Sequence, residues 1–232
     1  MFPIRDTIRS RSLPVVNWLL ILANLAVFLY ELSLSPAQLD RFTLTYALVP
    51  DRLVLANPAT WLPLFTHMFL HAGWFHIISN MWVLFIFGDN VEDRIGSLRY
   101  LIFYLLGGIV AGLTQDFFSI DASIPALGAS GAIAAVLGAY FFYFPRAKII
   151  TLFVIVIIPW FINLPAVVFI GLWFISQLYY GFLALTTSSG AALGGVAWFA
   201  HIGGFLFGLL LAGPFAWGKK KYTWHADQYW PY

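Results

Sequence analysis

The sequence of 232 residues lacks cysteine altogether and is poor in charged residues. Without cysteine, disulfide bonds, thiolate nucleophiles and thiolate metal sites are excluded. Charged residues make up 9% of the chain, whereas a soluble domain averages about 25%. So few charges cannot cover a water-facing surface, which excludes an ordinary soluble globular protein and an intrinsically disordered chain. The net charge of +2, with basic residues in scattered pairs and triplets, also excludes a nucleic-acid binder.

Hydrophobic residues are abundant instead, at 61% of the chain. A helix that spans a bilayer needs about 20 mainly apolar residues. Six segments of roughly this length follow one another: about 15–34, 75–91, 98–118, 127–144, 165–185 and 196–217. The first is preceded by a basic stretch like that of a signal peptide, but it is long enough to span and no cleavage pattern follows it. We therefore expect an all-α polytopic membrane fold of six transmembrane helices with a long, interfacial first external loop.

The distribution of basic residues predicts the orientation of these spans. Cytoplasmic loops collect lysine and arginine. With six spans, one side of the membrane receives ten of the twelve basic residues: Arg5, Arg9, Arg11, Arg94, Arg99, Arg146, Lys148, Lys219, Lys220 and Lys221. We therefore expect a cytoplasmic segment at 1–14, a membrane domain at 15–217 and a cytoplasmic tail at 218–232.

Two apolar stretches are too short to cross a membrane alone. The stretch 149–158 is β-branched, and Pro159 and Pro165 discourage a continuous helix after it. A seventh span here would move Lys219–Lys221 to the outside, so we expect an element at the cytoplasmic interface. The stretch 61–70 of the first external loop predicts a re-entrant or interfacial element.

Polar residues within spans are costly and mark candidate functional sites. His76 and Asn80 are four residues apart and share one face of the second span. Ser130 opens the fourth span, and His201 lies early in the sixth. Because these three spans all run from outside to inside, the four residues should lie at a similar depth, roughly 5–10 Å below the external surface.

Small residues suggest that the fourth and sixth spans approach closely. Ser130 shares a face with Ala134 and Gly138, and His201 shares a face with Gly204 and Gly208. Close backbones would bring Ser130 Oγ within about 3 Å of a His201 nitrogen, so that the histidine could act as the base for a serine nucleophile.

Amide hydrolysis also needs donors for the developing oxyanion. Asn80 can supply its side-chain amide, His76 a ring N–H and Ser130 its backbone N–H. The nearest acidic residues, Asp116 and Asp121, lie at the boundary of the third span and in the following loop. We therefore predict a Ser–His dyad rather than a triad.

Taken singly, each feature has a simpler reading. The run Gly128–Ala132 is typical of helix packing, a lone histidine in a span can be a structural residue or a proton relay, and His76 with Asn80 can join helices. Only the agreement in depth and in helix face favours catalysis.

At these residues the sequence resembles the rhomboid family of intramembrane serine proteases, from about residue 61 to 211. The family's Gly-x-Ser-Gly motif matches Gly128–Gly131, and its sixth-span histidine followed by glycines matches His201. Its His-x-x-x-Asn matches His76 and Asn80. The acidic–basic signature after the second span resembles Glu92 and Arg94, which we expect to be structural.

The resemblance implies a serine endopeptidase of the minimal six-span form that needs no metal or cofactor. Its partners would be the lipid bilayer and single-span membrane proteins with helix-destabilising residues, and its location a bacterial cytoplasmic membrane. Two positions depart from the family: Leu62 replaces the arginine of a Trp-Arg pair, and Ala134 replaces an aromatic residue that packs on the base. Support for the His201 ring should therefore come from elsewhere.

Other functions are disfavoured or remain as alternatives. The sequence contains no His-Glu-x-x-His zinc motif and no pair of intramembrane aspartates. A catalytically inactive rhomboid-like protein that binds or escorts membrane clients is the main alternative, and a small transporter is another. The glycine-rich loop 186–195, with Gly190, Gly194 and Gly195, predicts either a flexible lid or an ordinary turn.

Overall fold

The computed structural model describes residues 2–54, 56–119, 123–155, 157–186 and 196–219. Within them the chain forms eight α-helices and three β-strands. The helices are α1 (Val15–Ser33), α2 (Pro36–Tyr46), α3 (Leu62–Thr66), α4 (Trp74–Ile95), α5 (Ser97–Phe118), α6 (Ser130–Tyr143), α7 (Ala166–Thr186) and α8 (Trp198–Phe215). The strands are β1 (Phe2–Asp6), β2 (Lys148–Ile155) and β3 (Ile158–Pro165). Of the predicted lid, 186–195, only Thr186 is among the described residues. Asp121, Lys220 and Lys221 also lie outside them.

Each predicted span corresponds to one helix, but the helices differ in length. By length and composition, four helices of the described chain can cross a membrane: α1, α5, α7 and α8. The segment Pro58–Phe69 together with α4 passes the same test as a pair, bent by 83°. At 14 residues α6 is short for a span, about 21 Å against a hydrocarbon core of about 30 Å. The multi-pass helical membrane fold is confirmed, and the count of six spans stays a prediction.

A three-stranded antiparallel sheet departs from the all-α expectation. β2 pairs with β3 along their whole length, and β1 pairs with the other edge of β2. The short apolar stretch 149–158 thus provides nearly all of β2 and the first residue of β3. Its β-branched residues favour an extended backbone, and Pro159 and Pro165 are tolerated because β3 is an edge strand.

Several contacts gather β1, the segment before α1 and the end of α8 at one end of the bundle. β1 pairs with the segment that follows α6. Ser12 donates from its backbone N–H to Asp93 at the end of α4, over 2.9 Å. Arg99, at the start of α5, donates to the carbonyls of Phe215 and Trp217 after α8. The hairpin therefore returns the chain to the end from which it came, as a six-span arrangement requires.

The centre of the bundle is α6, whose residues Gly131–Tyr140 are all buried. Glycines bring α6 and α8 together: a Cβ added at Gly204 would overlap the carbonyl oxygen of Gly131, and one at Gly208 would overlap that of Ala135. Gly138 faces the backbone of α8 at Phe205 in the same way. This contact between two backbones aligns the first turn of α6 with the first turn of α8.

Candidate active site

Ser130 and His201 meet where α6 and α8 begin. Ser130 is the first residue of α6, and His201 is the fourth of α8. The Nε2 atom of His201 lies 2.7 Å from Ser130 Oγ, which is hydrogen-bonding distance. His201 is 9% exposed. The structure thus joins two residues 71 positions apart in the sequence, through the glycine-lined contact between their helices.

The backbone before Ser130 is held by the segment between α1 and α4. Gly128 donates its N–H to the carbonyl of His67 over 2.8 Å, and Ala126 exchanges two backbone hydrogen bonds with Leu48. Gly128 has φ of +122°, a conformation that side chains rarely adopt. These contacts fix the direction in which the chain enters α6, and therefore where the Ser130 hydroxyl lies.

His76 and Asn80 lie over the same stretch of backbone. A Cβ placed on Gly128 would be 2.7 Å from His76 Nε2 and 3.8 Å from Asn80 Nδ2. Both polar groups therefore face the chain two residues before Ser130. Their position allows them to donate hydrogen bonds to an oxygen held beside the Ser130 backbone.

His71 is a site residue that sequence reasoning missed. Its Nδ1 lies 3.3 Å from the carbonyl of Phe69, and its Nε2 lies 3.0 Å from Asn80 Nδ2. Because a carbonyl only accepts, the His71 proton belongs on Nδ1, so Nε2 accepts a hydrogen bond from Asn80. One N–H of the Asn80 amide then remains for another acceptor. His71 lies between α3 and α4, outside every predicted span, so the positions of the spans predict no depth for it.

A buried carboxylate holds His71 in turn. The side chain of Glu31, near the end of α1, accepts a hydrogen bond from the backbone N–H of His71 over 3.2 Å. Glu31 and His71 are both buried. The segment between α3 and α4 is thereby tied to the first helix.

Gln177 is the second residue that sequence reasoning missed. Its Oε1 lies 2.8 Å from Nδ1 of His201, on the side of the ring away from Ser130. It lies in the middle of α7 and is 4% exposed. The available signal was an amide side chain within an otherwise apolar span.

Two indole rings flank His201. The ring centroid of Trp173 lies 5.9 Å from that of the histidine, and the ring centroid of Trp198 lies 6.3 Å from it at an angle of 89°. Ala134 on α6 has no ring to offer. Support for the imidazole comes from α7 and from the first residue of α8.

Glu92 and Arg94 lie far from the pair. Glu92 is buried and accepts hydrogen bonds from the backbone N–H groups of Val16 and Asn17 and from the hydroxyl of Ser97. A carboxylate there satisfies the N–H groups that open α1. The guanidinium of Arg94 lies 5.3 Å from the ring centroid of Tyr143, the last residue of α6. These contacts fit a structural role at the opposite end of α6 from Ser130.

Metal binding finds no support among the residues that the structure describes. No group of three or more histidine, aspartate or glutamate side chains in them could hold a metal ion. The candidate site consists instead of one hydroxyl, three imidazoles and two amides.

Comparison with known proteins gives one family. The Rhomboid domain matches residues 58–217, more than half of the chain. YdcA of Bacillus subtilis is 31% identical over 132 residues, which cover 57% of this chain and 63% of YdcA. GluP of the same organism, named a rhomboid protease, is 32% identical over 54% of this chain and 24% of its own length.

A third relative is a mitochondrial protein. The presenilin-associated rhomboid-like protein A of Danio rerio is 33% identical over 99 residues, 40% of this chain and 26% of its own. The chain thus spans less than two thirds of the length of each of these relatives. The Rhomboid match, residues 58–217, includes His76, Asn80, Ser130 and His201.

Proposed function

The chain belongs to the rhomboid family, and we propose that it is a serine endopeptidase that cleaves peptide bonds within or beside the transmembrane segments of other membrane proteins. One observation carries the proposal: the 2.7 Å contact between His201 Nε2 and Ser130 Oγ. A serine hydroxyl is a weak nucleophile until a neighbouring base takes its proton. This contact supplies that base.

The reaction proceeds in two halves. Ser130 Oγ attacks the carbonyl carbon of the scissile bond while His201 Nε2 takes the hydroxyl proton, and the same proton then goes to the leaving amine. An acyl ester on Ser130 remains. Water then attacks the ester while His201 takes its proton, and His201 gives that proton to Ser130 Oγ as the new carboxyl terminus leaves.

The oxyanion of each tetrahedral intermediate needs donors on the other side of the carbonyl. In the proposal these are the free N–H of Asn80, a ring N–H of His76 and the backbone N–H of Ser130. An N–H in the first turn of a helix has no partner within that helix. Removing one such donor typically slows turnover by about 10²–10³-fold.

The main alternative is a catalytically inactive relative that binds or escorts membrane clients. Such a protein would not need a base aligned on a serine. The hydrogen-bonded Ser130 and His201, together with a second partner for the imidazole, favour the enzyme.

The setting of the enzyme is also part of the proposal. The protein is a multi-pass integral membrane protein. We place it in a bacterial cytoplasmic membrane with both termini cytoplasmic, because ten of its twelve basic residues fall on that side. The candidate site then opens towards the external face, and its substrates are other transmembrane proteins.

A cleavage assay tests the proposal directly. The purified protein in detergent is incubated with a fluorogenic transmembrane substrate, as wild type, Ser130→Ala and His201→Ala. We expect each variant to lose at least ~10³-fold in kcat/KM. The control is Ser33→Ala, whose hydroxyl donates to the carbonyl of Tyr30 in its own helix.

A fluorophosphonate probe, which reacts only with activated serines, gives a test that needs no substrate. It should label the wild type and Ser33→Ala but not Ser130→Ala. Equal cleavage or labelling in wild type and Ser130→Ala would refute the nucleophile. Absence of both in a folded wild type would favour the inactive relative.

A further inference from the structure

We propose that Gln177 is a positioning residue of the dyad: its amide oxygen holds the His201 proton on Nδ1, so that Nε2 is free to take the proton of Ser130. The inference rests on the proposed function for its effect on rate. The tautomer that it assigns to His201 can be measured whether or not the protein is a protease.

The orientation of the Gln177 amide follows from its own partners. Its Nε2 lies 3.1 Å from the carbonyl of Trp173 and 2.8 Å from the hydroxyl of Ser176. The carbonyl of Trp173 can only accept, so the amide must present its NH₂ group there. The oxygen is thereby directed to the only remaining side of the group, where His201 Nδ1 lies 2.8 Å away.

The histidine tautomer follows from that orientation. An amide oxygen cannot donate, so the hydrogen bond requires a proton on Nδ1 of His201. A neutral imidazole with its proton on Nδ1 has a lone pair on Nε2, the atom 2.7 Å from Ser130 Oγ. The chain of partners therefore runs from a backbone carbonyl of α7 to the hydroxyl on α6. The reversed amide would donate to the ring and place the proton on the wrong nitrogen.

Because Gln177 is buried, its amide oxygen would destabilise the protein without the hydrogen bond to His201. The residues that α7 buries are otherwise apolar or glycine: Ala166, Phe169, Ile170 and Gly181. A buried amide without hydrogen-bond partners destabilises the folded protein. In Gln177, both the amide oxygen and the amide nitrogen have partners. A glutamine also orients the imidazole without placing a charge in the membrane. It fills the place that an acid takes in a Ser–His–Asp triad.

A plain structural bond between α7 and α8 is the competing explanation, and Gln115 offers the matched control. Its Oε1 accepts a hydrogen bond from the backbone N–H of Ala200, beside His201, over 3.2 Å. It therefore ties α5 to α8 as Gln177 ties α7 to α8, but without touching the imidazole. Loss of either bond should lower Tm, and only loss of Gln177 should change the base.

The experiment compares Gln177→Met, Gln177→Glu and Gln115→Met with the wild type. Methionine keeps the length of the side chain without its oxygen, whereas glutamate keeps an acceptor. The readouts are kcat and KM for the transmembrane substrate, the rate of fluorophosphonate labelling, and the ¹⁵N chemical shifts of the His201 ring. The His201→Ala spectrum identifies that ring.

We expect Gln177→Met to lower kcat and the labelling rate by about 10²-fold or more, since a wrong tautomer costs up to roughly 10⁴-fold in a triad. KM should stay within about two-fold, since Gln177 binds no substrate, and the ring nitrogens should show a mixture of tautomers. Gln177→Glu should recover most of kcat and the Nδ1 proton. Gln115→Met should leave kcat and the tautomer unchanged.

Two results would overturn the inference. One is a Gln177→Met protein that keeps the wild-type tautomer and kcat; the other is an equal loss of kcat in Gln115→Met. If Gln177→Met does not fold, Gln177→Asn, whose amide ends one methylene short of the ring, is judged on the same readouts. A wild type without protease activity would contradict the proposed function alone, because the ring spectrum would still report the tautomer.

Discussion

At the scale of single residues, glycine decides how closely α6 and α8 approach. A side chain on Gly208 would meet the carbonyl oxygen of Ala135, part of a helix backbone that cannot move aside cheaply. We expect Gly208→Ala to push the helices apart, to destabilise the protein by about 1–3 kcal/mol and to slow cleavage. Thermal unfolding in detergent and kcat/KM measure the two effects.

Gly213 on the same helix is the matched control. A Cβ there would find its nearest neighbour, the ring of Phe142, at 3.9 Å, an ordinary contact. Gly213→Ala should leave Tm unchanged or raise it, because alanine favours a helix over glycine by up to about 1 kcal/mol. If the two variants behaved alike, the close approach would not be what matters at Gly208.

Sequence reasoning reached the residues that share a helix face or an early position in a span. His76 and Asn80 are one turn apart, and Ser130 and His201 stand beside glycines. Gln177 and His71 were not predicted because the site residues that they contact, His201 and Asn80, lie on other elements. Periodicity along one helix reports neighbours within that helix, whereas the side of α7 that faces His201 is fixed by tertiary packing alone.

At the scale of elements, the sheet shows where a composition rich in apolar residues misleads. Membrane spans are usually helices, and the stretch 149–158 is too short to form a spanning helix. Its β-branched residues favoured a strand, but the partners β1 and β3 depend on pairing between distant parts of the chain. The sequence predicted its position between the fourth and fifth spans, now α6 and α7, but not its pairing.

The sheet is anchored to the helices through Asp6, and that contact predicts a pH dependence. Asp6 accepts hydrogen bonds from the hydroxyl of Tyr140 and from Asn90. Burial, with a smaller contribution from Asp89, raises the pKa of Asp6 from 3.8 to about 8. Between these values the folded protein holds a proton that the unfolded chain has released, so stability should fall as pH rises from about 4 to about 8.

Asp6→Asn should remove this dependence while keeping an oxygen for both donors. We expect wild type and Asp6→Asn to have similar Tm near pH 4, and Asp6→Asn to be more stable near pH 8.5. Each kcal/mol would appear as roughly 2–4 °C in Tm. Asp51→Asn, at an exposed position between α2 and α3, serves as the control. A wild-type Tm that rose between pH 4 and pH 8 would contradict the prediction.

At the scale of the whole molecule, the few charges are concentrated at one end of the bundle. Arg99 donates a hydrogen bond to the carbonyl of Phe215 at the end of α8, and Asp93 accepts one from Ser12. Glu92 accepts one from a backbone N–H in the first turn of α1. At the other end of α6 the candidate site consists of neutral polar groups, and the one carboxyl group described beside it, that of Glu31, holds the backbone of His71. Charged side chains thus stabilise helix ends at one end of the bundle. Hydroxyl, imidazole and amide groups form the candidate site at the other end.

Because the sequence has no cysteine, single cysteines can map the topology without background. We expect a membrane-impermeant maleimide to label Asp51→Cys in intact cells, and Ser10→Cys, Arg146→Cys and Lys219→Cys only after permeabilisation. The physical reason is the β-hairpin, which returns the chain to the same end of the bundle before α7 begins. An even number of crossings then separates Arg146 from Lys219.

Fluorophosphonate labelling shows that each cysteine variant remains folded, and the cysteine-free parent gives the maleimide background. Labelling of Lys219→Cys but not Arg146→Cys in intact cells would mean an odd number of crossings after α6, with the stretch 149–158 inserted as a seventh span. Labelling of Ser10→Cys, Arg146→Cys and Lys219→Cys, but not of Asp51→Cys, in intact cells would place the hairpin outside and reverse the proposed orientation. Retention of the expected pattern would place the Ser130 end of α6 at the external face, where water and the ends of transmembrane substrates can reach it.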